Sequence, residues 1–170
     1  MTLYGSTSGG LAWTTRILGT LLCLLVATIH FIDQGGFSMK HPTYVGIGFY
    51  VLEVVGVITA ILLLGGMTRL GWFLAVGVAA GPLTGYILSR GPGLPHYTED
   101  VGNWAEPLGV ASLIVEGLLL VVSVAIVARL LTVRDEKLST LSGKQSSQLR
   151  WSKVVGLDGQ HVGTVWIPRV

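Results

Sequence analysis

Charge is what this sequence has least of. Asp, Glu, Lys and Arg make up 12% of its 170 residues, about half the share of an ordinary soluble domain. The excess of one sign is small too, a net +2, too small to suggest nucleic acid as a partner. Cysteine occurs once, as Cys23, so neither an intrachain disulfide nor a Cys-x-x-Cys site can form. A phosphate-binding glycine loop and a nucleophile elbow are also missing from the sequence.

What the chain has instead is apolar length. Hydrophobic residues reach 51% and the mean hydropathy is +0.68. The charges bunch between four uncharged runs, 11–32, 44–64, 70–88 and 107–131. Each is close to the ~20 residues that an α-helix needs to cross the hydrocarbon core. The first run is long for a signal-peptide core and ends in ATIHFIDQGG, a poor cleavage site, so it reads as a retained helix. The expected fold is an all-α membrane protein with four transmembrane helices filling residues 11–132. A cytoplasmic segment, 1–10, precedes them. A polar linker, 133–150, and a tail, 151–170, follow.

The tail alternates apolar and polar residues around Asp158-Gly159, a strong hairpin signal. Its VVGLDGQHVGTV resembles the opening of a PRC-barrel domain over a fragment only. A lone two-stranded hairpin is marginal in water, so the tail is expected to need a partner. Orientation follows the basic residues: Arg16, Arg69, Arg129, Arg134 and Lys137 flank one side of the spans, Lys40 and Arg90 the other. The positive-inside rule places both termini in the cytoplasm of a cell whose plasma membrane holds the protein.

Small residues recur at four-residue spacing, which puts them on one helical face and allows close helix packing. These are Gly19, Cys23 and Ala27 in the first span, Gly56 and Ala60 in the second, and Gly77, Gly81 and Gly85 in the third. Pro82 is expected to kink the third.

Two glutamates lie inside spans. Glu116 is nine residues into the fourth span from Pro107, ~14 Å deep. Glu53 lies at matching depth in the second. Ser112, Glu116 and Ser123 share a face, as do Gly46, Glu53, Gly56 and Ala60. Both acids are therefore expected to point into the bundle, at a cost of ~3 kcal/mol each if charged. Close together they would share a proton. They fit a proton or cation site, a polar contact with a cofactor, or neutral hydrogen bonds between helices or subunits.

A second polar group is expected at the outer rim: His30, Asp33, His41, Arg90, His96 and Glu106. His30, Asp33, His41 and His96 are donor types suited to a transition metal, but their loop spacing is unconstrained and no metal is expected. Arg90 is expected to pair with Asp33, Glu99 or Glu106. Glu106-Pro107 is a good start for the fourth helix.

SRGPGLP…DVGNWAEPLGVASLIVE, with HFIDQ and FYVLEVVG before it, resembles uncharacterised four-helix integral membrane proteins of actinobacteria over about residues 11–132. The resemblance implies the architecture and carries no activity. The leading expectation is a small accessory subunit without catalysis of its own, packed among membrane lipids and other membrane subunits. Its tail, 151–170, would dock on the cytoplasmic side of a respiratory or other energy-converting complex. The alternatives are a proton- or cation-handling transporter built on Glu53 and Glu116, and a metal or redox protein using the outer His and Asp residues. Bound lipid or quinone is compatible with the first.

Overall fold

A computed structural model describes residues 7–155, 159 and 161–168. Four helices are long and apolar enough to cross a membrane, the make-up of a multi-pass membrane protein. They are α1 (Thr7–Asp33), α2 (Thr43–Leu64), α3 (Thr68–Arg90) and α4 (Pro107–Gln148). Residues Met1–Ala128 form one compact unit and Arg129–Val170 a second.

In the first unit, α2 and α3 are joined by Gly65, Gly66 and Met67. Gly66 takes a left-handed φ of 86°, which only glycine adopts freely. Met67 N–H then donates to Leu62 O at 3.0 Å and Gly66 N–H to Leu63 O at 3.4 Å, the Schellman closure of a helix C-terminus. Arg16 of α1 completes that end, its Nε donating to Leu63 O at 2.7 Å and its second guanidinium nitrogen to Leu64 O. We call this the turn end of the bundle. The loop end carries residues 34–42 and 91–106.

The core sits toward the turn end. Trp72 (α3) is its largest fully buried side chain, packed with Leu22, Cys23, Val26, Ala60, Leu63, Ala75, Val78, Ala79 and Leu119. Small residues make room for it: a Cβ on Gly19 would come 2.5 Å from Trp72 Cη2, and one on Gly71 2.8 Å from Leu63 Cδ2. Gly56 faces Ala27 Cβ and Cys23 O, each 3.4 Å from its Cβ position. The large residues left outside, among them Val54, Ile61, Ile114, Leu118 and Val121, suit contact with lipid.

In the second unit, α4 stays helical to Gln148, where the sequence reading ended it at 131 and expected a polar linker. The stretch holds no proline and one glycine, Gly143, and Lys, Glu, Arg and Leu are good helix formers once a helix is nucleated. Strands β1 (Leu149–Val155) and β2 (His161–Pro168) pair antiparallel, Leu149 opposite Pro168, with an irregularity at Val154/Val155. Asp158 of the expected Asp158-Gly159 turn lies outside the described residues, as do residues 1–6.

Candidate functional site

Glu116 is the most deeply buried carboxyl group among the described residues, 1% exposed. Its face of α4 carries two more buried polar residues, Ser112 and Ser123. Their spacing of four and seven residues stacks all three along one side of the helix. The start of that helix is fixed by Glu106, whose carboxylate accepts from Leu108 N–H at 3.0 Å and Gly109 N–H at 2.5 Å, a side-chain N-cap. Gly109 in turn lets α4 close on Tyr86, whose ring carbon lies 2.6 Å from the Cβ position.

The partner of Glu116 comes from α1. His30 Nε2 lies 2.8 Å from Glu116 Oε1 and 3.2 Å from Ser112 Oγ, and the Ser112 hydroxyl donates to the same carboxyl oxygen. An imidazole N–H and a hydroxyl thus converge on one oxygen, which suits a carboxylate, and charge-assisted bonds of this kind are the stronger ones. The ring packs edge-on against Phe49 of α2 at 5.3 Å. His30 Nδ1 is buried and has no hydrogen-bond partner among the described residues. It is an acceptor when the ring is neutral and a donor when the ring is an imidazolium.

These groups form one wall of a cavity of about 430 Å³ that extends to the loop end. The opposite wall is apolar: Val45, Phe49, Leu52 and Val55 from α2, Val78 and Pro82 from α3. Gly77, Gly81 and Gly85 also line it, and nothing lies within 4 Å of their Cβ positions. The stripe read as a packing face therefore borders open space. Pro82, the proline inside α3, sits on the same wall. Pro82 also deprives Val78 O of its helical donor at the cavity wall.

The loop end of the cavity is charged but balanced. Arg90 donates to Ser89 Oγ at 2.9 Å and to Asp100 Oδ2 at 3.3 Å, lies 3.8 Å from Glu106 Oε2, and stacks 4.2 Å over the Tyr86 ring. Its Nε is buried without a partner among the described residues. Tyr97 O–H donates to the same Asp100 oxygen at 2.8 Å. Burial first, and then the bond to Asp100 and its charge, push the Tyr97 hydroxyl well above its ordinary pKa. Asp33 pairs with Lys40 at 3.1 Å, not with Arg90.

Glu53 departs furthest from expectation. It does not reach the Glu116 cavity but lines a shallower pocket with Leu24, Ala27, Thr28, Phe31, Val54, Val57 and Ile58, on the α1–α2 side. Its Oε1 is buried and without a partner among the described residues. Matched depth fixed the height of the two acids but not their direction. The outer histidines also separate: His30 turns to Glu116, while His41 and His96 are exposed. Among the described residues no group of three or more His, Cys, Asp or Glu is arranged to hold a metal ion.

Sequence reasoning missed the His30–Glu116 pair because it put His30 at the rim and Glu116 at midplane. Nine residues separate Glu116 from the start of α4 but only three separate His30 from the end of α1. The end of α1 is thus sunk ~9 Å below the start of α4, beneath residues 34–42 and 91–106. The first of these loops packs closely on α2, a Cβ on Gly46 lying 2.6 Å from Met39 Cγ, a contact that no sequence pattern announces. No protein-family profile matches the chain, and no curated protein or solved structure is significantly similar to it.

Proposed function

We propose that the chain is a protein of the cytoplasmic membrane, both termini in the cytoplasm, that binds a small amphipathic molecule in the loop-end cavity and exchanges a proton with it. The observation that carries this reading is the His30–Ser112–Glu116 cluster on the wall of an otherwise apolar cavity of about 430 Å³. That volume lies in the range of small-molecule sites, and convergent polar groups on an apolar wall are their usual design. An ionisable residue inside a span costs several kcal/mol unless it is paired, and such residues most often mark a substrate or proton path. Here the partner is a histidine, whose imidazole can both donate and accept a proton and so can pass one to a bound molecule. The orientation rests on the five basic residues Arg16, Arg69, Arg129, Arg134 and Lys137 on one side.

The test is native mass spectrometry of the chain in mild detergent, with infrared spectroscopy of the Glu116 carboxyl. A stoichiometric small molecule is expected on the wild type and lost from His30→Ala. The Glu116 band is expected to change when the small molecule is removed from the wild type and to vanish in Glu116→Gln. A wild type that carries no small molecule, or a Glu116 band indifferent to its removal, overturns the reading.

A second reading is favoured by one observation, the unpartnered Glu53 Oε1 beside an open pocket on the α1–α2 side. A subunit of a larger membrane assembly would supply the missing donor there and dock the tail, 151–170, on the cytoplasmic side. Such a subunit loses its partner on deletion of 151–170 and on Glu53→Leu, which the same mass spectrometry reads. A transporter built on Glu53 and Glu116 would have to link two pockets, since each glutamate lines a different one.

A further inference from the structure

We infer that the loop-end cavity takes a neutral lipophile bearing carbonyl acceptors, a quinone-type head on an apolar tail, and that the molecule enters from the bilayer between α2 and α3. The inference rests on the small-molecule reading above and adds the ligand's class and its route.

The route comes from exposure. Most of the cavity wall is covered, but Tyr44 is 46% exposed and Val51 56%, and Gly77 and Gly81 are exposed too. All four line the cavity, two on α2 and two on α3. Gly48 of α2 adds another bare position, with nothing within 4 Å of its Cβ site. Gly77 and Gly81 lie ~14 and ~20 Å along α3 from Thr68, within a hydrocarbon layer ~30 Å thick. The slot therefore opens to acyl chains, not to water. What passes it must already be dissolved in the bilayer, which excludes ions and polar metabolites.

The class of head group comes from charge and from orphaned atoms. Arg90 is already answered by Asp100 and Glu106, and Lys40 by Asp33. An anionic head would thus meet no spare cation, and would add a negative charge beside Asp33, Asp100 and Glu116. A cationic head would find each of those acids already paired. What the walls leave open are hydrogen-bonding positions on two lining residues, Arg90 Nε and His30 Nδ1. Arg90 Nε is a donor only, and His30 Nδ1 is one when the ring is charged. A neutral molecule with acceptor oxygens satisfies Arg90 Nε in either state of the ring and His30 Nδ1 as well when the ring is an imidazolium, and it adds no charge of its own. A flat ring suits the bare Gly77–Gly81–Gly85 face, because no side chain projects from it.

The test uses the full chain in phosphatidylcholine nanodiscs and three probes with the same decyl tail: decylubiquinone, decyl phosphate and decylbenzene. Saturable binding of decylubiquinone is expected, read by quenching of tryptophan fluorescence. Decyl phosphate and decylbenzene, read by their displacement of decylubiquinone, are expected to bind at least about tenfold more weakly. Gly81→Leu or Gly77→Leu, each placed where there is room for the added side chain, is expected to weaken decylubiquinone by about tenfold without lowering thermal stability. Equal or tighter binding of decyl phosphate overturns the neutral head, and equal binding of decylbenzene overturns the role of the orphaned donors. In both cases the cavity reading survives. Full affinity in both leucine variants overturns the route. Failure of all three probes to bind overturns the inference, and if the wild type also carries no small molecule by mass spectrometry the cavity reading falls with it.

Discussion

At the turn end, a Cβ added to Gly19 or Gly71 would run into Trp72 or Leu63 at 2.5 and 2.8 Å; at Gly77, Gly81 and Gly85, nearer the loop end, it would meet nothing within 4 Å. The residue type and the four-residue spacing are shared, and the physical roles are opposite. In the first region the missing side chain lets a helix approach, and dispersion contacts around Trp72 fill the gap. In the second it leaves a gap that no helix enters. A small-residue stripe therefore says that a face is smooth, and only the neighbouring helices decide whether smoothness means contact or vacancy.

The sharpest way to break this contrast is Trp72→Ala. Removing the largest buried side chain of the turn end is expected to cost ~3–5 kcal/mol, measured by unfolding in mixed micelles of mild detergent and dodecyl sulfate. A loss below about 1 kcal/mol would mean that this end is not a packed core.

Next comes Gly19→Ala, expected to cost ~1–3 kcal/mol because the methyl group meets the indole and one of them must move. Glu116→Ala should fall in the same range, ~1–3 kcal/mol, since it leaves His30 and Ser112 buried without their acceptor. Glu116→Gln keeps an acceptor oxygen and is expected to recover part of that loss. If both variants are as stable as the wild type, the cluster is not formed.

Gly81→Ala is the inverse experiment, expected to stabilise by ~0.5–1 kcal/mol, the ordinary gain of alanine over glycine inside a helix. A loss there would show that something fills the slot.

The smallest effect concerns Tyr97. Its hydroxyl is held above its ordinary pKa in the folded chain, so the neutral form is favoured by folding. That contribution is full below an ordinary tyrosine pKa of ~10 and declines as pH rises past it. Tyr97→Phe is expected to flatten the alkaline loss of protection in the 91–106 loop, followed by hydrogen exchange. An unchanged alkaline limb would place that loss elsewhere.

Much of the fold was legible because the bilayer permits so little. Four runs of about 20 apolar residues leave few alternatives to four helices. Periodicity likewise put Ser112, Glu116 and Ser123 on one face of α4, and all three are buried. Sequence could not say how deep each helix end sits, because loops such as 34–42 fold back by contacts that no periodicity encodes. The His30–Glu116 bond depends on that depth. Nor could it tell the environments of the two glutamates apart. Both follow a buried glycine by seven residues, Gly46 and Gly109, yet one carboxyl is enclosed by partners and the other faces a side pocket. The helical continuation of α4 past 131 has a simpler basis: the polar stretch 132–148 holds no proline and a single glycine, so nothing in it breaks a helix.

The Arg16 guanidinium has one further consequence. By gripping Leu63 O and Leu64 O across from α1, it works as a depth stop. A cation resists being drawn into hydrocarbon, and the two carbonyls it holds move with it. The α2–α3 hairpin thereby gains a fixed height against α1. Whatever the helices do elsewhere, this end of the hairpin keeps its register with α1.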